Sequence, residues 1–131
     1  MSDADKQVVK GFVDAFIRGD LEDALSRLAD DAIVDEADGM DFSGKFTGPA
    51  GFVKLIEKMT AGVEPRIDTN TLIDGGDVIV SRLEMTFTSK GSGRSMPTRV
   101  TEIYTVRDGK IVGLDSFYKD PVAINVLYNE K

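Results

Sequence analysis

The period of the hydrophobic pattern changes once, near Pro65, and this change constrains the fold more than any other feature of the chain. Before it, apolar residues recur at helical spacing; after it, they alternate with polar ones. Val9, Phe12, Val13 and Phe16 mark an amphipathic helix over residues 4–18, ended by Gly19. Asp20, with Asp23 three residues on, caps a second helix whose apolar face is Leu21, Ala24, Leu25 and Leu28. Residues 32–34 read as a short strand, and 35–48 as a polar, Gly-containing loop or weak hairpin beside a cavity. Gly48-Pro49 opens a third helix with Phe52, Val53, Ile56 and Met59 as its packing stripe.

Beyond Pro65, strands are expected over 66–72, 78–89, 95–106 and 111–118, joined by turns at 74–77, 90–94 and 107–110. The tail from Pro121 is left without an assigned structure. Helices followed by a meandering sheet make an α+β domain, and 131 residues suit one domain spanning 1–131. Helices laid across a strongly bent sheet would leave a conical pocket, a natural small-molecule site.

Composition removes several classes of function. The net charge of -7 and the lack of a basic stripe argue against nucleic acid as a partner. With no Cys and no His, disulfides and the usual zinc and iron ligands are absent, so no metal and no cofactor is expected. Proton transfer must then use Asp, Glu, Tyr or Lys. The chain has no apolar run of membrane-spanning length, so no membrane partner is expected. Its first residues show neither a basic leader nor a signal core, which makes cytoplasmic the expected location.

Glu36 and Glu102 are the acids that stand out, each within a pattern typical of a small protein's interior. If both face one apolar cavity, desolvation raises their pKa values and suits them to proton transfer near neutral pH. The other reading is two solvated surface acids. One residue of register slip would exchange Asp35 for Glu36 at the inward position. On the 78–89 strand, Leu83, Met85 and Phe87 alternate with Arg82, Glu84 and Thr86. Either the apolar set faces the core and the charged set is solvated, or the charged set lines a polar pocket and the apolar set lies at a dimer interface. Alternation puts Asp115 opposite Leu114, Ser116 and Tyr118, and puts Tyr104 on the face of Glu102 and Val100.

The whole chain resembles the nuclear transport factor 2-like superfamily, in its SnoaL-like polyketide cyclase and ketosteroid isomerase-like group. The likeness rests, in order, on the first helix, on Arg18-Gly-Asp-Leu-Glu-Asp-Ala24, on Leu28-Ala-Asp-Asp-Ala-Ile-Val-Asp-Glu36 and on Phe46-Thr-Gly-Pro-Ala-Gly-Phe52. Val106-Arg-Asp-Gly-Lys-Ile-Val112 and Asp115-Ser-Phe-Tyr-Lys-Asp120 complete it. The resemblance implies a cone of strongly curved, mostly antiparallel sheet covered by three N-terminal helices, a cystatin-like α+β barrel. It also implies a homodimer through the sheet's outer face.

For function, the resemblance implies a small hydrophobic carbonyl compound as ligand, with carboxylate acid–base catalysis of a cyclase or isomerase kind. A non-catalytic binding or dimerisation module on the same fold is the alternative. By position, Glu36 matches the isomerases' base and Glu102 their oxyanion-hole acid, while the proline after the base is missing. Their oxyanion-hole tyrosine falls on Phe12, which has no hydroxyl and so argues against true ketosteroid isomerase activity. The pocket histidines usual in the cyclases are absent too. An epoxide-hydrolase arrangement of Arg82 or Arg99 with Asp115 matches poorly. The implied catalytic set is Glu36, Glu102 and Arg82, where Arg82 either stabilises an oxyanion or merely pairs with Glu102. The implied substrate-binding set is Phe12, Phe16, Phe52, Ile56, Glu84, Tyr104 and Tyr118.

Overall fold

A computed structural model describes residues 2–131. The elements run α1 (Asp3–Ile17), α2 (Leu21–Ser26), β1 (Leu28–Glu36), β2 (Gly44–Thr47), α3 (Gly48–Thr60), β3 (Val63–Asp74), β4 (Ile79–Ser89), β5 (Ser95–Arg107), β6 (Lys110–Tyr118) and α4 (Pro121–Tyr128). Local chemistry sets most of these boundaries. Ser2 and Asp5 form a reciprocal capping box at the start of α1, and Asp20 caps α2 by accepting from the Asp23 N–H at 3.1 Å. Asp108 and Gly109 both take positive φ, +52° and +76°, which is the backbone a two-residue hairpin between β5 and β6 needs. Gly48 has φ +68°, and a Cβ there would sit 2.4 Å from the Asp30 carbonyl oxygen, so the entry into α3 requires glycine.

The strands form one six-stranded sheet in the order β2-β1-β6-β5-β4-β3. All neighbours are antiparallel except β1 and β6, which run parallel. This sheet corrects the expected cone: it is open and mixed, not strongly curled or closed into a barrel. Closure would need its edges to pair, whereas β2 and β3 lie at opposite ends of the order. The three expected N-terminal helices are α1, α2 and α3, and the tail left unassigned folds as α4 behind the Asp120 cap.

Alternation gives the sheet two unlike faces. On β4, Ile79, Ser81, Leu83, Met85, Phe87 and Ser89 are buried, while Arg82 and Glu84 are exposed. The buried face packs against α1 and α3, through Val9, Phe12, Val13, Phe52, Leu55 and Met59. Phe42, in the β1–β2 connection, is fully buried between Tyr118 and Tyr128, with ring centroids 6.2 and 5.6 Å away. This aromatic stack ties α4 to the sheet. The Arg94–Glu130 ion pair at 2.6 Å and the Tyr128 hydroxyl, donating to the Lys58 carbonyl at 2.6 Å, hold the end of that helix. Among the described residues no helix is long and apolar enough to cross a membrane.

Candidate functional site

Between α1, α3 and the buried sheet face lies a cavity of about 50 Å³, lined mostly by apolar side chains. Its polar lining comes from Glu36, Glu102, Tyr104 and Tyr118. Glu36 ends β1 on the inward phase set by Ala32 and Val34, and only 5% of its surface is exposed. Asp35 lies on the other face, so the open choice between the two acids falls to Glu36. Glu102 sits on β5 in phase with Val100 and Tyr104, directly across from Ser116 of β6. It is half-buried, and it borders the cavity.

The two carboxyl groups have distinct hydrogen-bond environments. Glu36 Oε1 accepts from the Ser116 hydroxyl and from the Ala37 N–H at 3.2 Å. Glu102 Oε1 accepts from the Tyr104 hydroxyl at 2.6 Å. Among the described residues no donor reaches Oε2 of either acid, and the Tyr118 hydroxyl has no protein partner. Glu36, Glu102 and Tyr118 all line the cavity. Two carboxyl groups and a phenol therefore belong to the wall of one cavity.

Burial dominates the electrostatics. It pushes the Glu36 carboxyl from 4.5 up to about 7; the Ser116 and Ala37 hydrogen bonds oppose the rise, and the nearby Glu102 and Asp35 charges add to it. The Glu102 carboxyl is also raised by burial, against the hydrogen bond from Tyr104. Burial and then the two acids hold the Tyr118 phenol well above its ordinary value, so it stays a donor at neutral pH. Tyr104 is raised likewise, by burial first and then by Glu102.

Of the residues the sequence singles out, Glu36, Glu102, Phe12, Phe16, Phe52, Ile56, Tyr104 and Tyr118 all line this cavity. Arg82 and Glu84 do not, and their expected place in the pocket is corrected. The strand period puts Leu83 and Met85 inward, which turns Arg82 and Glu84 to the outer face. Register also excludes an Arg82–Glu102 pair, because Glu102 opposes Ser81 while Arg82 opposes Thr101. Glu84 instead accepts from the Thr69 hydroxyl at 3.0 Å. Ser116 is the residue the sequence reading passes over. Its signal was a lone hydroxyl in phase with Leu114 and Tyr118. No group of acids among the described residues is arranged to hold a metal ion.

A SnoaL-like domain model matches residues 9–114. An NTF2-like protein of unknown function from Burkholderia pseudomallei is 25% identical, over 98% of this chain and 99% of that one, with a TM-score of 0.88. A candidate polyketide cyclase from Xanthomonas campestris is 20% identical, over 95% and 96% of the two chains, with a TM-score of 0.80. TerC, co-crystallised with polyporic acid, is 20% identical over 98% and 100%, with a TM-score of 0.86. These last two likenesses are ones of fold. No curated protein is significantly similar in sequence. The family match spans most of the chain, and the protein belongs to the SnoaL-like domain family, within the NTF2-like superfamily.

Proposed function

We propose that the protein binds a small hydrophobic carbonyl compound in this cavity and moves a proton on it by carboxylate acid–base catalysis. The observation that carries the reading is the meeting of Glu36 and Glu102 in the wall of one apolar cavity, each with one carboxyl oxygen that accepts no hydrogen bond from the described residues. Glu36 as carboxylate removes a proton alpha to the carbonyl and becomes the carboxylic acid. The C–H electron pair passes into the enolate, whose oxygen accepts hydrogen bonds from protonated Glu102 and from Tyr118. Returning the proton to another carbon completes an isomerisation. Attack of the enolate carbon on a second carbonyl, with the proton delivered to the new alkoxide, completes an aldol closure. A metabolite-library thermal-shift screen, repeated on Glu36→Gln, tests this. Ligand binding kept with turnover lost supports the assignment, and turnover kept overturns it.

A second reading is favoured by size. Small-molecule sites usually enclose several hundred Å³, and the cavity here holds about 50 Å³. A non-catalytic dimerisation module of the same fold would need no ligand space at all. The catalytic reading requires α1 and α3 to yield around the ligand.

The reading includes a homodimer through the outer sheet face. Phe117, Ile33 and Ile73 stand 50%, 42% and 41% exposed on that face. Asp35 and Asp115 are side by side there, and Asp115 is raised by burial and then by Asp35. Arg82, Arg99 and Lys119 lie elsewhere on the same face, with no ion pair among the described residues. A two-fold axis would let the acids of one copy meet the cations of the other.

A further inference from the structure

The outer face of the sheet carries a groove of about 670 Å³ over β3, β4, β5 and the end of β6. Register builds its floor in two rows. Arg82, Thr101 and Phe117 cross β4, β5 and β6 as direct neighbours, and Glu84 and Arg99 stand opposite each other in the next row. Lys119 extends that second row, its N–H donating to the Arg99 carbonyl at 2.9 Å. Arg82 and Arg99 are therefore diagonal neighbours, about 7–8 Å apart where their side chains begin, and both reach one bound group. Four of the other five arginines, Arg18, Arg27, Arg66 and Arg94, each hold a carboxylate. Arg82, Arg99 and Lys119 hold none among the described residues, although Glu84 shares their groove. Glu84 is turned toward β3, where it accepts from the Thr69 hydroxyl.

We propose that this groove is a second binding site, separate from the cavity, and that its ligand is a small organic phosphate. Charge sets the class. Three cations against the single acid Glu84 leave two positive charges, and a phosphate monoester carries about −1.5 to −2 at pH 7. A lone carboxylate would match only half of that surplus. The planar guanidinium forks of Arg82 and Arg99 suit phosphate oxygens, Lys119 adds a point charge, and Thr101 adds a hydroxyl donor. Phe117, half exposed, gives the organic part an apolar ledge. An extended polyanion is excluded, because Asp35 and Asp115 lie on the same face at one side and Asp68 and Asp120 border the other. With a net charge of -7 the protein as a whole repels anions, so the attraction is confined to the groove. In the dimer proposed above, the acids of the second copy are the rival anion. Phosphate and the second copy therefore compete for the same cations.

ATP and adenosine share an organic part and differ in phosphate, so they serve as probes. Each is titrated into ¹⁵N-labelled wild-type protein at about pH 7.5 in about 50 mM salt. ATP should move the amides of 82–84, 99–101 and 117–119 with a Kd of about 1 mM or tighter, and adenosine should leave them in place. Binding should weaken about fivefold or more in Arg82→Gln/Arg99→Gln. Lys119→Gln, a milder change, should weaken it about twofold and keeps the test open if the double variant does not fold. No movement with ATP at about 10 mM overturns the site, as do equal binding of adenosine and undiminished binding in these variants. Sedimentation with and without ATP separates this site from the dimer. A dimer that ATP dissociates supports both, and a monomer that binds ATP keeps the site and removes the dimer. ATP bound beside an undiminished dimer keeps the site and moves the interface off this face. A dimer that binds no ATP keeps the dimer and removes the site.

Discussion

The Ser116 hydroxyl donates to the carboxyl of Glu36, 80 residues away in the chain, because β6 and β1 lie parallel and adjacent. Asp35 and Asp115 are register partners on the outer face, so the next residue of each strand meets on the inner one. The same β6 residue faces Glu102 across the antiparallel β5 ladder. Ser116 is thus the shared neighbour through which two acids from distant segments come to one cavity. The burial that brings them there also raises both.

That burial has a consequence for stability. Glu36 has a folded-state pKa near 7 against 4.5 in an open chain, so the folded protein holds this proton more tightly. Its favourable share is fully present below about pH 4.5 and is lost as pH rises through about 7, a change of about 3 kcal/mol. Glu102, raised too, acts in the same direction. Glu36→Gln should flatten the fall in stability across that window. Urea midpoints measured from about pH 4.5 to 7.5 check it, and parallel profiles for the two proteins would contradict it.

The hydrogen bonds to the acids set where activity titrates. Ser116→Ala removes a donor that holds Glu36 down, and should move the acid limb of a pH–rate profile upward by about one unit. Tyr104→Phe removes the donor that holds Glu102 down, and should move the alkaline limb upward instead. Profiles of deuterium exchange into a bound ketone separate the two. Limbs that move together, or not at all, would contradict the assignment of separate roles.

Much of this was legible in the sequence, because the physics there is local. α1 to α3 and the hairpins from β3 to β6 lie within a few residues of where periodicity, capping and the 107–110 turn place them. The inward phases of Glu102, Tyr104 and Tyr118 follow from strict alternation. What escaped was non-local. β1 runs from Leu28 to Glu36, well beyond 32–34, because its backbone is satisfied by β2 and by a parallel partner over 70 residues on. β2 lies where a loop or weak hairpin is read, and its exposed edge pattern carries almost no hydrophobic signal. Arg82 and Glu84 could be placed inside or outside with equal logic until the helices were seen to pack on Leu83 and Met85.

Phe42 shows the same limit at one residue. It lies in an irregular polar connection, yet it is fully buried against Tyr118 and Tyr128. Phe42→Ala should destabilise the fold by about 3–5 kcal/mol, as loss of a large core side chain does. It should also loosen α4, which leans on the same stack. Denaturant unfolding measures the first effect and amide exchange in 121–128 the second; a loss under about 1 kcal/mol would show that the stack carries little weight.

For the proposed dimer, Phe117 is the natural lever, being half exposed on the outer face near the end of β6. Phe117→Asp should convert a dimer to monomer in sedimentation, with the cavity residues left in place. A wild-type protein that sediments as a monomer at micromolar concentration would remove this part of the account.

The central claim is that Glu36 and Glu102 share one dry cavity and feel each other's charge. Side-chain carboxyl ¹³C titration of glutamate-labelled protein tests it most directly, with Glu36→Gln and Glu102→Gln used for assignment. The account predicts that the Glu36 carboxyl titrates near 7 and that its midpoint falls in Glu102→Gln, since the Glu102 charge contributes to the rise. A Glu36 midpoint between about 4 and 5, the same in both proteins, would contradict it.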